Sequence, residues 1–281
     1  MIDIKTKKAL IIDLENKEAE TKSFPDLMKY IGGTGVGLKL LEIYEEKNPL
    51  IFSIGPLNGF FPFASKTSVV LKNDGLIEDL YLGGTLSTRL KFTGLDSIVI
   101  YGKSEEEIVL DIQNSDVTFK DGVTDIQSLG LPGKRCLMEY DGKKMLADQY
   151  FTTPENYLER YFAENNIKGI SITGTEAFSP NNFEDYKKLY MSILGEKDGM
   201  RVDEGGYPSC SNCPMGCGKS KVGEIGGNVL INSLVSCQFA DKIYTDIGMV
   251  FSCLNTLGYN YTHEDIENLP SLIEETIRRA S

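Results

Sequence analysis

Three cysteines in a glycine-rich segment constrain this chain more than any other feature of its sequence. Cys210, Cys213 and Cys217 have the spacing C-x2-C-x3-C and lie within residues 198–227, which contain eight glycines. Two intervening residues allow neighbouring thiolates to converge on one inorganic centre, and glycines allow backbone N–H groups to approach the sulfur atoms. The spacing therefore predicts a metal-binding loop.

Iron–sulfur and zinc are the two kinds of centre that this spacing allows. A cubane [4Fe–4S] cluster takes four thiolates, and three close cysteines with a distant fourth suit it. Zinc also accepts four thiolates, in tetrahedral geometry, but a zinc ribbon usually contains two C-x2-C pairs and this chain contains one. The pattern favours iron–sulfur, with zinc as the main rival and three unligated thiols as the remaining alternative.

The fourth ligand has to come from outside the run. Cys237 is predicted to supply it, because it follows Cys217 by twenty residues and a Gly-Gly turn that can fold it back. Cys253 lies in an apolar helical pattern, and the segment around Cys136 is typical of an ordinary buried thiol. Disulfides are not expected among the six cysteines, since a cytoplasmic protein lies in a reducing compartment.

The charge balance excludes two classes of partner. The 281 residues include 29 basic and 41 acidic side chains, so the net charge is −12. Such a chain repels nucleic acid and anionic membrane surfaces. The N-terminal segment contains neither a secretory signal nor an apolar run of the roughly 20 residues that span a bilayer. We therefore expect a cytoplasmic protein with no nucleic acid and no membrane among its partners.

The apolar pattern predicts an α+β fold. Residues 2–14 predict two short strands joined by a polar turn, and further strands are predicted at 50–57, 67–72, 97–102, 107–112 and 167–174. Helices are predicted at 24–31, 38–46, 154–166, 181–197, 239–257 and 264–279. We expect a sheet-rich domain over residues 1–205, and a smaller region over 206–281 that holds the cysteine loop and a helical segment.

Two other motifs point to common functions but do not meet their requirements. GGTGVG at 32–37 lacks the third glycine of a dinucleotide-binding G-x-G-x-x-G motif, because Leu38 or Leu40 stands in its place. It also follows a predicted helix rather than a strand, so its glycines indicate close packing against another backbone or a flat cofactor. His263 is the only histidine and lies at a predicted helix start, which argues against a histidine-based nucleophile. The sequence predicts no catalytic residue.

Six segments occur in a characteristic order along the chain. They are IGGTGVGLKLL (31–41), PLIFSIGPLNG (49–59), SKTSVVLKN (65–73), LGGTLSTRLKFTGLDSIVIYGK (82–103), NIKGISITGT (166–175) and CSNCPMGCGK (210–219). Taken together, they resemble the aldehyde:ferredoxin oxidoreductase family of tungsten or molybdenum bis-pterin enzymes. The resemblance implies an N-terminal domain of paired β-sheets that forms a base for the pterins. It also implies a [4Fe–4S] cluster beside one pterin.

Residue by residue, the resemblance assigns Cys210, Cys213 and Cys217 as cluster ligands. It places Gly83, Gly84 and Thr85 where the backbone of the family approaches a pterin, and it places Lys66 where the family usually has an arginine near the cofactor. Lysine keeps the positive charge of that arginine but not its bidentate fork. The implied cofactors are a [4Fe–4S] cluster and a tungsten or molybdenum bis-pterin, and the implied partner is ferredoxin or another redox protein.

The chain departs from the family at several cofactor positions. The first motif of the family reads G-G-R-G, and Thr34 stands here in place of the arginine. The segment YLERYFAENN (157–166) replaces an Arg/Gly-rich loop, and apolar residues 229–231 replace acidic residues near the metal. Members of the family are also much longer, and a C-terminal domain supplies their fourth cluster cysteine.

Two hypotheses follow from the resemblance and the departures. In the first, the chain is an oxidoreductase that oxidises an aldehyde with ferredoxin as acceptor, complete or completed by a homo-oligomer or a complementary C-terminal chain. In the second, it is a non-catalytic relative without pterin that acts as an electron-transfer or scaffold subunit. A zinc-stabilised binding module is a third reading.

Overall fold

The computed structural model describes residues 2–200 and 206–280 and contains two β-sheets with helices around them. The strands are Lys7–Asp13 (β1), Glu18–Phe24 (β2), Leu50–Ser53 (β3), Thr67–Asn73 (β4), Leu76–Leu82 (β5), Ser97–Tyr101 (β6), Ile108–Gln113 (β7), Asp116–Asp121 (β8), Arg135–Tyr140 (β9), Met145–Ala147 (β10), Ile167–Thr173 (β11) and Glu224–Ile225 (β12). The α-helices are Gly33–Ile43 (α1), Leu86–Lys91 (α2), Tyr157–Glu164 (α3), Phe183–Gly195 (α4), Val229–Leu234 (α5), Asp241–Tyr244 (α6), Ile247–Leu257 (α7) and His263–Ala280 (α8). This arrangement confirms the α+β fold and the paired sheets.

Both sheets are mixed. The larger has the order β12-β5-β4-β3-β6-β1-β2, and the smaller has the order β10-β9-β11-β7-β8. The β1–β6 and β7–β11 pairs are parallel, and the other strand pairs are antiparallel. Because β12 comes from the segment after the cysteine run, the larger sheet connects that segment directly to the N-terminal half of the chain.

Strands β1, β3, β4 and β6 of the larger sheet are buried on both faces over most of their length, which explains their continuous apolar runs. In β1, Leu10 and Ile12 belong to the core between the two sheets, whereas Ala9 and Ile11 belong to the core beneath the helices. Since side chains alternate along a strand, one strand contributes to both cores. The second core also contains residues of α5, α7 and α8, so the helices after residue 206 pack on the sheet-rich part. The division at residue 205 stays a prediction.

Three sequence predictions of secondary structure need correction. Residues 2–14 contain one strand, β1, and not two, because the hairpin partner of β1 is the charged and exposed β2. The predicted helix at 239–257 is interrupted before Asp246, whose carboxylate caps α7 by accepting a hydrogen bond from the Met249 amide at 3.2 Å. The predicted loop at 198–227 contains β12, although residues 201–205 lie outside the described part.

Among the described helices, none is both long enough and apolar enough to cross a lipid bilayer.

Candidate functional site: the four-cysteine cavity

Four of the six cysteines line one small cavity. Cys210, Cys213, Cys217 and Cys237 form its wall together with Lys66 and other residues. The cavity has a volume of about 10 Å³, which is close to the space that one water molecule needs. The sequence predicts that these four thiols are ligands of one metal centre, and this ligation stays a prediction. The structure does bring them to one place.

The cysteine run is held against the turn that follows β5. The Ser211 amide donates to the Gly84 carbonyl at 2.9 Å, and the Cys213 amide donates to the Cys210 carbonyl at 3.1 Å. A Cβ atom at Gly83 would lie 2.8 Å from the Cys210 sulfur, so only glycine allows the thiol to approach this closely. Glycine at position 83 is thus explained by the close packing of the cysteine run against this turn.

Cys237 reaches the cavity through a turn that the sequence does not reveal. Helix α5 ends at Leu234, and the next residue, Val235, has a φ of +51°, a left-handed conformation that valine rarely adopts. The Val235 carbonyl then accepts from the Lys66 amide at 3.1 Å, and the Cys237 amide donates to the Phe63 carbonyl at 2.9 Å. A helix and this turn, rather than the predicted Gly-Gly turn alone, bring Cys237 to the cavity.

A buried ion pair lies among the thiols. The Lys66 ammonium is 3.2 Å from a Glu224 carboxylate oxygen, and their side chains are only 2% and 11% exposed. The same oxygen lies 3.6 Å from the Cys237 sulfur, whose S–H can donate to it, and the Gln238 amide donates to the other oxygen at 3.3 Å. Burial alone would lower the Lys66 pKa, but attraction to Cys210, Glu224 and Cys237 raises it above its ordinary value. Lys66 is therefore a fixed positive charge.

The thiols themselves are shifted toward their protonated forms. Burial raises the pKa of Cys213 to about 11, and it raises the pKa values of Cys210 and Cys237 as well. A metal ligand must be a thiolate, so metal binding here has to release protons from these groups. The charge of Lys66 favours that release, because it lies close to the sulfur atoms and stabilises negative charge on them.

The other two cysteines lie apart from the cavity, as the sequence analysis expects. Cys136 is fully buried in the core between the sheets, and Cys253 is fully buried in the core beneath the helices. The chain therefore carries two buried thiols that resemble the cavity cysteines in burial but do not line the cavity.

The donor set of the cavity fits an iron–sulfur cluster, since soft thiolates are the ligands that such clusters take. Within residues 2–200 and 206–280, no group of three or more His, Cys, Asp or Glu side chains is already arranged to hold a metal ion. The cysteines thus share a cavity without converging on a single ion position.

Two of the four positions that the resemblance assigns to a pterin, Thr85 and Lys66, contact the chain's own carboxylates. The Thr85 amide and hydroxyl both donate to one oxygen of Asp148, at 2.7 and 2.8 Å. A Cβ at Gly84 would lie 2.9 Å from that oxygen and 2.9 Å from the Phe151 ring. Lys66 is likewise paired with Glu224. Both side-chain donors are thus engaged within the chain in this structure, and the assignment of these positions to a pterin stays a prediction.

The glycine cluster of α1 packs against backbone and not against open space. A Cβ at Gly33 would lie 2.3 Å from the Asn232 carbonyl oxygen, and a Cβ at Gly35 would lie 2.4 Å from that of Tyr30. Of the two readings that the sequence allowed for these glycines, close packing against another backbone is the one observed at both positions. The partner of Gly33 is the last turn of α5, and the partner of Gly35 is the backbone before α1.

Sequence reasoning did not single out Glu224 or Asp148. Each is one of 41 acidic side chains, and its partner lies far away in sequence, 158 residues for Lys66 and Glu224 and 63 residues for Thr85 and Asp148. A weak signal existed for Glu224, because it is the only acidic residue between positions 206 and 240.

Residues 9–172 match the sequence model of the aldehyde ferredoxin oxidoreductase, N-terminal domain. The chain belongs to this family. It is 32% identical over 130 residues to the aliphatic sulfonate oxidoreductase, WOR-like subunit, of Pyrococcus furiosus, an alignment that covers 41% of this chain and 20% of that protein. It is 27% identical over 150 residues to the tungsten-containing aldehyde ferredoxin oxidoreductase of Pyrococcus horikoshii, covering 49% and 25% respectively.

A solved structure shows a similar fold. The active site complex BamBC of benzoyl coenzyme A reductase, in complex with 1,5-dienoyl-CoA, superimposes with a TM-score of 0.58 at 19% identity. The superposition covers 69% of this chain and 34% of that one. The chain spans a quarter or less of the length of the two curated relatives described here. Both curated relatives are oxidoreductases by name, and the first of them is named as a subunit.

Proposed function

We propose that this chain is an iron–sulfur redox protein that carries single electrons and binds no pterin of its own. Its cluster would be a [4Fe–4S] centre held by Cys210, Cys213, Cys217 and Cys237. The observation that carries the proposal is that these four thiols line one cavity, while the two remaining cysteines lie in the cores. Membership of an oxidoreductase family supports a redox role.

The residues of the cavity have distinct parts in this function. A [4Fe–4S] cluster, when bound, supplies one-electron redox chemistry at a potential that its surroundings set. The four thiolates would hold it, and the Lys66 ammonium would offset their negative charge. Glu224 orients Lys66 through the ion pair and also accepts from the Gln238 amide. Because Lys66, Cys210 and Cys217 are all buried, bulk water is kept from most of the site.

The non-catalytic hypothesis receives more support than aldehyde oxidation by this chain alone. Asp148 and Glu224 engage Thr85 and Lys66, which are donors that the resemblance assigns to an anionic cofactor. Aldehyde oxidation with ferredoxin as acceptor, on a tungsten or molybdenum pterin, would then need another chain to supply the cofactor site. A scaffold or electron-transfer subunit needs only the cavity.

Metal analysis of anaerobically purified protein tests the proposal. We expect about four irons and four acid-labile sulfides per chain, without stoichiometric zinc, tungsten or molybdenum. Cys210→Ser, Cys213→Ser and Cys217→Ser should lose most of the iron, and Cys237→Ser should retain a smaller, incomplete cluster. Electron paramagnetic resonance of the reduced protein would distinguish the cluster types.

Cys136→Ser and Cys253→Ser are the matched controls, because both remove a buried thiol outside the cavity. Their iron content should equal that of the wild type. Zinc as the only metal would overturn the iron–sulfur proposal. Iron that survives substitution of Cys210 would do the same, and tungsten or molybdenum bound with a pterin would overturn the pterin-free part.

A further inference from the structure

A loop outside the cysteine run contacts both parts of the chain that carry the cavity cysteines. This loop comprises residues 54–66 and connects β3 to β4. The Phe63 amide donates to the Asn212 carbonyl at 3.0 Å, and the Phe63 carbonyl accepts from the Cys237 amide at 2.9 Å. Asn212 lies within the C-x2-C pair. One residue of the loop therefore joins the cysteine run to the distant Cys237.

The backbone at these contacts adopts a conformation that its surroundings have to hold. Phe63, Asn212 and Val235 have φ values of +65°, +59° and +51°, and of these residue types only asparagine tolerates the left-handed region well. The Lys66 amide donates to the Val235 carbonyl at 3.1 Å, so the strained residues are the ones that bond the loop to the cysteine segments. Strain of this kind persists only where neighbouring contacts support it, and it clusters at functional sites.

The side chain of Asn58 supplies such support. It is fully buried, and its oxygen accepts a hydrogen bond from the Gly55 amide at 2.7 Å. Its amide group donates to the Ala64 and Lys66 carbonyls at 2.9 and 3.0 Å. One side chain thus joins the beginning of the loop to the end that contacts the cysteine segments. Because a buried carbonyl without a partner is costly, the conformation of the loop depends on these bonds.

We propose that Asn58 is a positioning residue of the cavity, which holds Cys237 beside the C-x2-C-x3-C run before a metal centre binds. This inference rests on the proposed function, because it concerns the ligand set of the same cluster. A ligand that is already in place loses little conformational freedom on binding. Cys237 is twenty residues from the run, so it depends most on being held in advance. Asn58 is not itself a ligand and acts through the loop.

Electron paramagnetic resonance of the Asn58→Ala variant tests the positioning role. Without a fixed fourth ligand, the iron content of the purified variant should fall from about four towards about three per chain. Mild oxidation with ferricyanide takes up one electron for each Fe²⁺ that [4Fe–4S]²⁺ releases, and leaves [3Fe–4S]⁺. The variant should show the signal of this three-iron cluster, whereas the wild type should keep its four-iron cluster under the same treatment.

Two further variants separate positioning from a general loss of stability. Adding Asn58→Ala to Cys237→Ser should change the cluster little further, because the ligand that Asn58 positions is already absent. Asn166→Ala is the matched control, since the Asn166 side-chain amide also donates to two carbonyls, those of Ser104 and Glu105 at 2.7 and 3.4 Å. It should lower the thermal midpoint without a three-iron signal. Equal loss of iron in the two single variants, or an intact four-iron cluster in Asn58→Ala, would overturn the proposal.

Amide exchange in iron-free protein keeps this proposal distinct from the proposed function. Measured by nuclear magnetic resonance, the Cys237 amide should exchange about tenfold or more faster in Asn58→Ala than in the wild type, and no faster in Asn166→Ala. This result would support the positioning role even if zinc replaced iron in the native protein. If Asn58→Ala does not fold, the wild type decides. Its Phe63, Lys66 and Cys237 amides should share one opening free energy, and a Cys237 amide that opens independently would overturn the positioning role.

Discussion

Three carboxylates that point into the molecule, Asp79, Asp148 and Glu224, each accept from donors on distant segments. Glu224 pairs with Lys66, Asp148 accepts from Thr85, and Asp79 accepts from three hydroxyl groups. Two of the partners, Lys66 and Thr85, stand at positions that the resemblance to the family assigns to cofactor binding. At the scale of single residues, the chain satisfies these polar groups internally.

Asp79 is the clearest case for a measurable pH effect. Its carboxylate accepts hydrogen bonds from the hydroxyls of Thr34 at 2.8 Å and Ser68 at 2.9 Å, and from that of Tyr81. Burial raises its pKa from 3.8 to about 6, although the hydrogen bonds act in the opposite direction. The folded protein therefore holds this proton more tightly than the unfolded chain does.

The sign of the stability effect follows from that difference. The contribution of Asp79 to the free energy of unfolding is greatest below about pH 4 and is lost as the pH rises to about 6. Relative to Asp79→Asn, the free energy of unfolding of the wild type should fall across this window, with an upper limit of about 3 kcal/mol. The loss should be smaller than this limit, because Asp79 keeps some contact with solvent. Urea titrations at a series of pH values measure this difference. If the free energy of unfolding of the wild type rose with pH relative to that of Asp79→Asn, the assignment would be contradicted.

The cysteine run could be predicted from sequence, and its surroundings could not. Cys210, Cys213 and Cys217 are close in sequence, so their spacing alone indicates a shared site. The ion pair of Lys66 with Glu224 depends on a strand that adds to the sheet at its edge, and no local pattern encodes that pairing. Polar partners at long sequence separation are set by tertiary structure.

At the scale of elements, the last turn of α5 and the glycines beside it form one packing unit. A Cβ at Gly55 would lie 2.5 Å from the Leu234 carbonyl oxygen and 2.7 Å from that of Ser233. Both oxygens belong to backbone, which cannot rotate away as a side chain can. Glycine at this position is what allows α5 to approach β3 and the turn that follows it.

Alanine substitutions measure this packing. Gly55→Ala should destabilise the fold by about 2 kcal/mol or more, because the added methyl group has to displace the α5 backbone. Gly195→Ala is the control, since no described atom lies within 4 Å of its Cβ position and its φ is −64°. That control should be neutral or slightly stabilising. Equal unfolding midpoints in urea for the two variants would show that the α5 backbone can move away from the added methyl group without loss of stability.

Elements with a buried apolar face were predictable, and elements without one were not. Strands β1, β3, β4 and β6 read as continuous apolar runs because both of their faces are buried. Strand β2 has the sequence EAETKSF and is exposed along nearly its whole length, so it exists because β1 offers it a hydrogen-bonding edge. Helix α5 has only six residues, which is too short for a clear helical period.

At the scale of the whole molecule, the cavity joins three separated parts of the chain. Lys66 follows the turn after β3, Cys210 to Cys217 precede β12, and Cys237 follows α5. A cluster bound to the four thiolates would cross-link the last two parts and would add its binding energy to the stability of the fold.

Removal of the cluster should therefore loosen one region and spare another. After anaerobic chelation of iron, we expect faster amide hydrogen exchange over residues 206–240. Exchange in β1 and β6 should stay slow, because both strands are paired on each side within the larger sheet and neither of them lines the cavity. Hydrogen-exchange mass spectrometry of the two forms checks this. Uniform loss of protection would mean that the chain unfolds globally without the metal.

Glu224 belongs to β12, an edge strand of the larger sheet, and its side chain is the counter-ion of Lys66. Its backbone is paired with Tyr81 while its side chain neutralises an ammonium that is almost out of contact with water. Peeling β12 from the sheet edge would leave that ammonium without its carboxylate, and an isolated buried charge is costly. The two-residue strand is thereby held in place by an ion pair as well as by its backbone pairing.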